Sequence, residues 1–145
     1  MKINELLNKI QQELNAPKCQ RNDFAQFNYR SCEDILTAVK PLLDGAILTM
    51  NDTLEVLNNS VYLQATVTLI NDDGSVSASA YAKEPPQAKP KMDESQTTGS
   101  TSSYARKYAL NGLFCIDDTK DADTNEMHLH GSQSKPNNSQ YQNDD

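Results

Sequence analysis

Val61-Tyr62-Leu63-Gln64-Ala65-Thr66-Val67-Thr68-Leu69-Ile70 alternates apolar and polar residues without a break. Val61, Leu63, Ala65, Val67 and Leu69 share one face, while Tyr62, Gln64, Thr66 and Thr68 share the other. That is the pattern of a strand buried on one side in an antiparallel sheet. Asp72-Asp73-Gly74 follows as a hairpin signal, and residues 75–82 alternate again, Val76, Ala78, Ala80 and Ala82 opposing Ser75, Ser77, Ser79 and Tyr81. The small side chains of this last strand leave room for another element to lie close over it. Upstream, residues 47–50 and 54–57 flank Asn51-Asp52-Thr53, which reads as a hairpin connection, and Asn58-Asn59 leads into the central strand. The sheet is a meander of three or four strands.

Working outward, Ile3, Leu6, Leu7, Ile10 and Leu14 have the spacing of an amphipathic helix that Pro17 ends. A polar connector follows, carrying Lys18, Arg21 and Arg30 against Asp23, with Phe24, Phe27 and Tyr29 interleaved. Ser31 is placed to cap a second helix whose first turn holds Glu33 and Asp34. Ile35, Leu36, Val39, Leu42 and Leu43 continue it toward Gly45, and Pro41 must kink it or start a new turn. Downstream of the sheet, residues 83–91 form an extended, basic, proline-rich linker. Residues 93–103 are small and hydroxylated, poor helix formers alone. Residues 104–114 have stronger helix formers with apolar spacing at Ala105, Ala109 and Leu113. If the hydroxylated half is helical as well, packing must hold it. The expected fold is α+β: an antiparallel three- to four-stranded sheet with N-terminal helices and a long helix across it.

The 145 residues suffice for one domain with a core. Hydrophobic residues make up 37%, and the five glycines bring this to about 40%, below the roughly 45–50% of globular chains. Part of the chain is therefore expected to lie outside the core. Residues 117–145 hold seven acids against Lys120 and Lys135, or −5, whereas residues 1–116 carry only −2 of the total −7. After Ile116 the sizeable apolar residues are Met127, Leu129 and Tyr141, too few to offset chain entropy. The division is a domain at 1–116 and an acidic tail at 117–145 that reads as disordered.

The net charge excludes a globally basic nucleic-acid binder but leaves room for a local basic groove. No apolar run approaches a membrane span, and polar residues from Asn4 to Lys9 interrupt any export signal. Cys19, Cys32 and Cys115 are odd in number and widely spaced, which fits reduced thiols in a cytosol. None of the five glycines precedes a Lys-Ser or Lys-Thr, so no phosphate-binding P-loop exists. No Gly-x-Ser-x-Gly elbow is present, and His128 and His130 both fall in the tail. Asp121-Ala122-Asp123-Thr124-Asn125 imitates a calcium loop, but Glu126 and Ser132 stand where Gly and Glu are required. No metal, cofactor or catalytic residue is expected.

One constellation carries chemistry. Arg106 and Lys107 sit beside Tyr104 and Tyr108, behind a hydroxyl-rich turn that includes Ser103. Cations neutralise phosphates, tyrosines stack on bases, and hydroxyls hold phosphate oxygens. The alternative is an amphipathic helix whose tyrosines pack and whose cations are solvated, with Arg106 pairing Asp117 or Asp118 at the helix end.

Residues 92–114, Met-Asp-Glu-Ser-Gln-Thr-Thr-Gly-Ser-Thr-Ser-Ser-Tyr-Ala-Arg-Lys-Tyr-Ala-Leu-Asn-Gly-Leu-Phe, resemble the signature of the ERF family, the phage "essential recombination function" single-strand annealing proteins. Ala16-Pro17-Lys18, Phe27-Asn28-Tyr29-Arg30-Ser31 and Glu33-Asp34-Ile35-Leu36 resemble its N-terminal block, continued by Val39-Lys40-Pro41-Leu42-Leu43. Ile116-Asp117-Asp118 with Asp121-Ala122-Asp123 resembles its closing block. The likeness covers about residues 1–123. It implies ATP-independent annealing of complementary single-stranded DNA in the bacterial cytoplasm, ring-like or helical homo-oligomers, and a β-β-β-α core like that of eukaryotic Rad-type annealing proteins. The DNA contacts it suggests are Arg106 and Lys107, then Tyr104, Ser103, Lys18, Arg21, Arg30, Lys89 and Lys91, with one tyrosine of the pair expected against the sheet. Lys107 stands where a second Arg is more usual, keeping charge without the bidentate fork. A C-terminal domain of longer members is expected to be absent or reduced to the tail. The competing function is an acidic protein-interaction module for a host nuclease, single-strand-binding protein or regulator; such proteins, or a phage exonuclease, are also the expected partners of an annealing protein.

Overall fold

The computed structural model describes residues 1–116; the expectation of a disordered tail falls outside them. The described residues form two compact units, Met1–Ala16 with Ser31–Ile116, and Pro17–Arg30.

The larger unit is built on a meander. Strands β3 (Ile47–Leu57), β4 (Ser60–Ile70) and β5 (Ser75–Lys83) lie in the order β3-β4-β5, antiparallel throughout. Leu63, Ala65, Val67 and Leu69 of β4 are buried while the residues between them are not, as the alternation requires. The expected hairpin at Asn51-Asp52-Thr53 is not a turn. Strand β3 runs unbroken through it, with Asn51 opposite Thr66, Asp52 opposite Ala65 and Thr53 opposite Gln64. The reversal occurs instead at Asn58-Asn59, with φ of 51° and 64°. Two consecutive left-handed residues make the turn whose twist suits a two-residue hairpin, and asparagine tolerates that region. The Asp72-Asp73-Gly74 turn is as expected, with Asn71 Oδ1 accepting from Asp73 N at 2.8 Å and Gly74 N at 3.2 Å.

Helix α3 (Glu94–Phe114) crosses one face of the sheet. Ala105 and Ala109 are buried, and a Cβ built on Gly112 would meet Ala78 of β5 at 4.0 Å. Small residues on both elements give this close approach. Helix α1 (Ile3–Glu13) buries Leu6 and Ile10. Its first turn is tied to the β4–β5 turn by Ile3 N donating to Asp73 Oδ2 at 2.9 Å, and its last to α3 by Gln11 Nε2 donating to Leu113 O at 2.9 Å. Helix α2 (Cys32–Val39) starts at Ser31, whose Oγ accepts from Asp34 N at 3.1 Å while Asp34 Oδ2 accepts from Ser31 N at 2.8 Å. Pro41 falls in a 3-10 turn, Lys40–Leu42, where its missing N–H costs nothing. Leu6, Ile10, Ile35, Val39, Leu110 and Phe114 close the core, each worth about 1.5–3 kcal/mol of apolar transfer when fully buried.

The smaller unit is a hairpin of β1 (Gln20–Asn22) and β2 (Phe27–Tyr29), where only a connector was expected. Three-residue strands are too short to show a period. Its own contacts include the edge-on rings of Phe27 and Tyr29 and the bonds of Arg21 to Asp23, Gln26 and Asn28.

Candidate nucleic-acid interface

Helix α3 begins ten residues before its strong helix formers. Asp93 caps it, Oδ1 accepting from Gln96 N at 2.8 Å while Gln96 Oε1 accepts from Asp93 N at 2.9 Å. The hydroxylated half is then held by packing and side-chain bonds. Thr97 and Thr101 are 3% exposed. Thr97 Oγ1 accepts from Lys89 N at 3.0 Å, Thr101 Oγ1 donates to Thr97 O at 3.1 Å, and Thr98 Oγ1 donates to Glu84 Oε1 at 2.6 Å. The hydroxyls of Thr97 and Thr98, which would compete with a helix backbone elsewhere, are here engaged by the linker that follows β5, while that of Thr101 bonds back to the helix carbonyl one turn before it.

The linker also brings Lys89 to the helix. Its Nζ donates to Ser100 Oγ at 3.2 Å and lies 5.5 Å from the centre of the Tyr104 ring. Tyr104 and Tyr108, one turn apart, stack with centroids 6.4 Å apart and planes 29° from parallel. Lys107 Nζ lies 5.3 Å and 5.5 Å from the two ring centres. Each tyrosine is 48% exposed, which corrects the expectation that one would pack against the sheet: the buried positions go to Ala105 and Ala109, and Tyr104 and Tyr108 fall on the flank beside them. Two stacked rings, one ammonium group beside both and a second over Tyr104, form a platform with a polarised π-surface.

Arg106 faces elsewhere. Two residues on from Tyr104, it is about 200° away around the helix, and its Nε donates to Asp52 Oδ1 of β3 at 3.1 Å, the pair being 33% and 24% exposed. Lys107, two residues on from the sheet-facing Ala105 and about 200° from it around the helix, lies on the face of α3 away from the sheet. The partner expected for Arg106 in the structural alternative was Asp117 or Asp118; both lie outside the described residues, and the partner found is Asp52. Burial raises the Cys32 thiol, Glu33 adds to it, and Arg106 and Lys107 pull it down, so the positive field of α3 reaches the start of α2.

Ser103 is half-buried on α3, and Lys91 is exposed at φ 66°. Lys18, Arg21 and Arg30 belong to the Pro17–Arg30 unit, where Lys18 is half-buried, Arg21 exposed and Arg30 buried. Sequence reading missed Asp52 and Ser102, whose Oγ donates to Asp52 Oδ2 at 2.6 Å. The signal was an acid at the third of five positions, Leu48, Met50, Asp52, Leu54 and Val56, that otherwise alternate as apolar. Among the described residues no His, Cys, Asp and Glu group can hold a metal ion, and no helix is long and apolar enough to cross a membrane.

The chain is 55% identical over 120 residues to the essential recombination function protein of Salmonella phage P22, an alignment covering 83% of this chain and 58% of that protein. It therefore spans little more than half the length of that relative. No solved structure matches it. With the capped, hydroxyl-rich helix and its basic aromatic flank in place, and a match to the ERF superfamily running from residue 3 to residue 145, this chain belongs to the ERF superfamily.

Proposed function

We propose that this chain is a phage-type DNA recombination protein that binds single-stranded DNA along α3 and anneals complementary strands without ATP. The observation that carries the reading is the Tyr104–Tyr108 stack with Lys107 beside both rings and Lys89 over Tyr104. Bases of any identity stack on such rings, and the ammonium groups attract the phosphates. Arg106 offers a further phosphate contact. The P22 relative's name, essential recombination function protein, supports the coarser half of the reading.

Annealing asks for no covalent chemistry. Two polyanions must approach, and their bases must stay exposed for pairing. A row of cations lowers the repulsion, and a backbone-led grip leaves Watson–Crick edges outward. One protomer offers few cations within a chain of −7, so the strand is held by many copies, in a ring or helical filament. An uncovered apolar strip on edge strand β3, where Leu54, Val56 and Leu57 are 64%, 72% and 62% exposed, supplies surface for such self-association. Residues 1–116 carry this activity, and it takes place in the cytoplasm of the infected bacterium.

The test is direct. Complementary labelled oligonucleotides are mixed with the full chain in nucleotide-free buffer, and duplex formation is followed by energy transfer. Acceleration by wild type and its loss in the Lys89→Ala/Lys107→Ala double variant are the expected results. A wild-type chain that fails to bind single strands at low salt overturns the reading and favours the protein-interaction module.

A further inference from the structure

Asp52 stands where β3 otherwise places apolar side chains toward α3. Its register partner on β4 is Ala65, which is fully buried, and Ala65 in turn pairs with Ala80 of β5. The carboxylate is divided between two bonds from one helix: Oδ1 accepts from Arg106 Nε at 3.1 Å and Oδ2 from Ser102 Oγ at 2.6 Å. Ser102 and Arg106 are one turn apart on α3, so the serine fixes the carboxylate and the carboxylate fixes the guanidinium. The bond to Nε takes one of the five guanidinium donors. The two terminal NH2 groups carry the other four, on a side chain still 33% exposed.

We infer that Asp52, braced by Ser102, is a positioning residue: it holds Arg106 by Nε so that the terminal NH2 groups present a fork to a phosphate of a strand lying along α3. This rests on the single-strand reading above. A planar fork matches a phosphate with two parallel hydrogen bonds, and a pre-oriented side chain loses less freedom on binding than a mobile one. Ser102 and Asp52 thus act through Arg106 and touch no DNA themselves.

The sign of the effect separates this from simple neutralisation. Deleting an acid beside a polyanion site tightens binding, whereas deleting a positioning acid loosens it. The experiment is fluorescence anisotropy of labelled oligothymidylate with the full chain over a range of NaCl, for wild type, Asp52→Ala, Asp52→Asn, Arg106→Ala and Asp52→Ala/Arg106→Ala, with a thermal melt of each. Arg106→Ala is expected to weaken binding about tenfold, and Asp52→Ala about three- to tenfold, for loss of one charge-assisted bidentate contact. The double variant should be no weaker than Arg106→Ala alone. Asp52→Asn, which keeps an acceptor for Nε, should retain most of the affinity. The slope of log affinity on log salt should flatten by up to about 0.7 in Asp52→Ala, one phosphate's share.

Equal or tighter binding by Asp52→Ala overturns the inference and leaves Asp52 a neutralising acid. Binding lost together with thermal stability in both Asp52 variants, at unchanged salt slope, makes Asp52 a mere tether and overturns it too. Wild-type binding with Arg106→Ala unaffected removes Arg106 as a contact and this inference with it, while sparing the single-strand reading. A wild type that binds no oligothymidylate fells both.

Discussion

Tyr104 illustrates how far a single side chain's role depends on what its neighbours already do. Ala105 and Ala109 occupy the sheet-facing positions of α3, so the ring is left half exposed, against Tyr108 and beneath Lys89 and Lys107. If its face stacks on a base, Tyr104→Ala should cost about 1–3 kcal/mol of single-strand binding, while Tyr104→Phe should keep most of it, because the ring remains. Anisotropy titration of the two variants checks this, and equal losses in both would assign the role to the hydroxyl. The cysteines give a residue-scale check on the fold itself. Cys32 is buried and its thiol pushed up, whereas Cys19 and Cys115 are exposed. The thiolate is the reactive form, so a thiol reagent at neutral pH should titrate two groups quickly in the native chain and the third only on unfolding. Three fast thiols would contradict the burial of the α2 start.

At the scale of elements, α3 shows what a sequence discloses and what it leaves to packing. Its second half was legible from Ala105, Ala109 and Leu113. Its first half was not, because Ser, Thr and Gly argue locally against a helix and the compensation comes from Lys89 and Glu84, residues outside the helix. The same holds for β3. Asn51-Asp52-Thr53 resembles a turn locally, yet full-length pairing with β4 overrides it, and the acid is used by Ser102 and Arg106. Tyr104 and Tyr108 stood out in the sequence as a pair one turn apart, but the bond from Arg106 to Asp52 needed the helix placed over the sheet. Since the first half of α3 leans on its cap, Asp93→Ala should lower stability by about 1 kcal/mol, with loss of helical signal ahead of the main melt. Gly99 sits in that half, exposed, with nothing within 4 Å of a Cβ built on it. Gly99→Ala should therefore raise stability by about 0.5–1 kcal/mol through helix propensity. Circular dichroism melts decide both, and a neutral Asp93→Ala would mean packing alone starts the helix.

At the scale of the whole molecule, a chain of −7 reaches a polyanion only if its few well-placed cations act together. The sheet offers a means. Its two outer strands, β3 and β5, have no further strand beside them among the described residues. An eleven-residue edge with exposed apolar side chains is the sort of surface that soluble chains cover or charge. Here the far half of β3 carries Glu55 alone between Leu54 and Val56. In the sheet Glu55 is level with Tyr62 and, beyond it, Lys83 at the end of β5. A neighbour laid edge to edge in register, β5 of one copy beside β3 of the next, would set Lys83 against Glu55 and cover Leu54. Contacts of this head-to-tail kind continue into a ring or an open filament, which would bring successive α3 helices into one row of cations. Leu54→Lys with Val56→Lys should leave the fold and melting temperature nearly unchanged, because both side chains are already solvated, yet lower the sedimenting mass and steepen the dependence of strand binding on protein concentration. Annealing should fall with it while the platform at Tyr104 and Lys107 remains intact. If the doubly charged variant sediments as wild type does, β3 is not the interface, and the cations of neighbouring copies must be aligned by another surface.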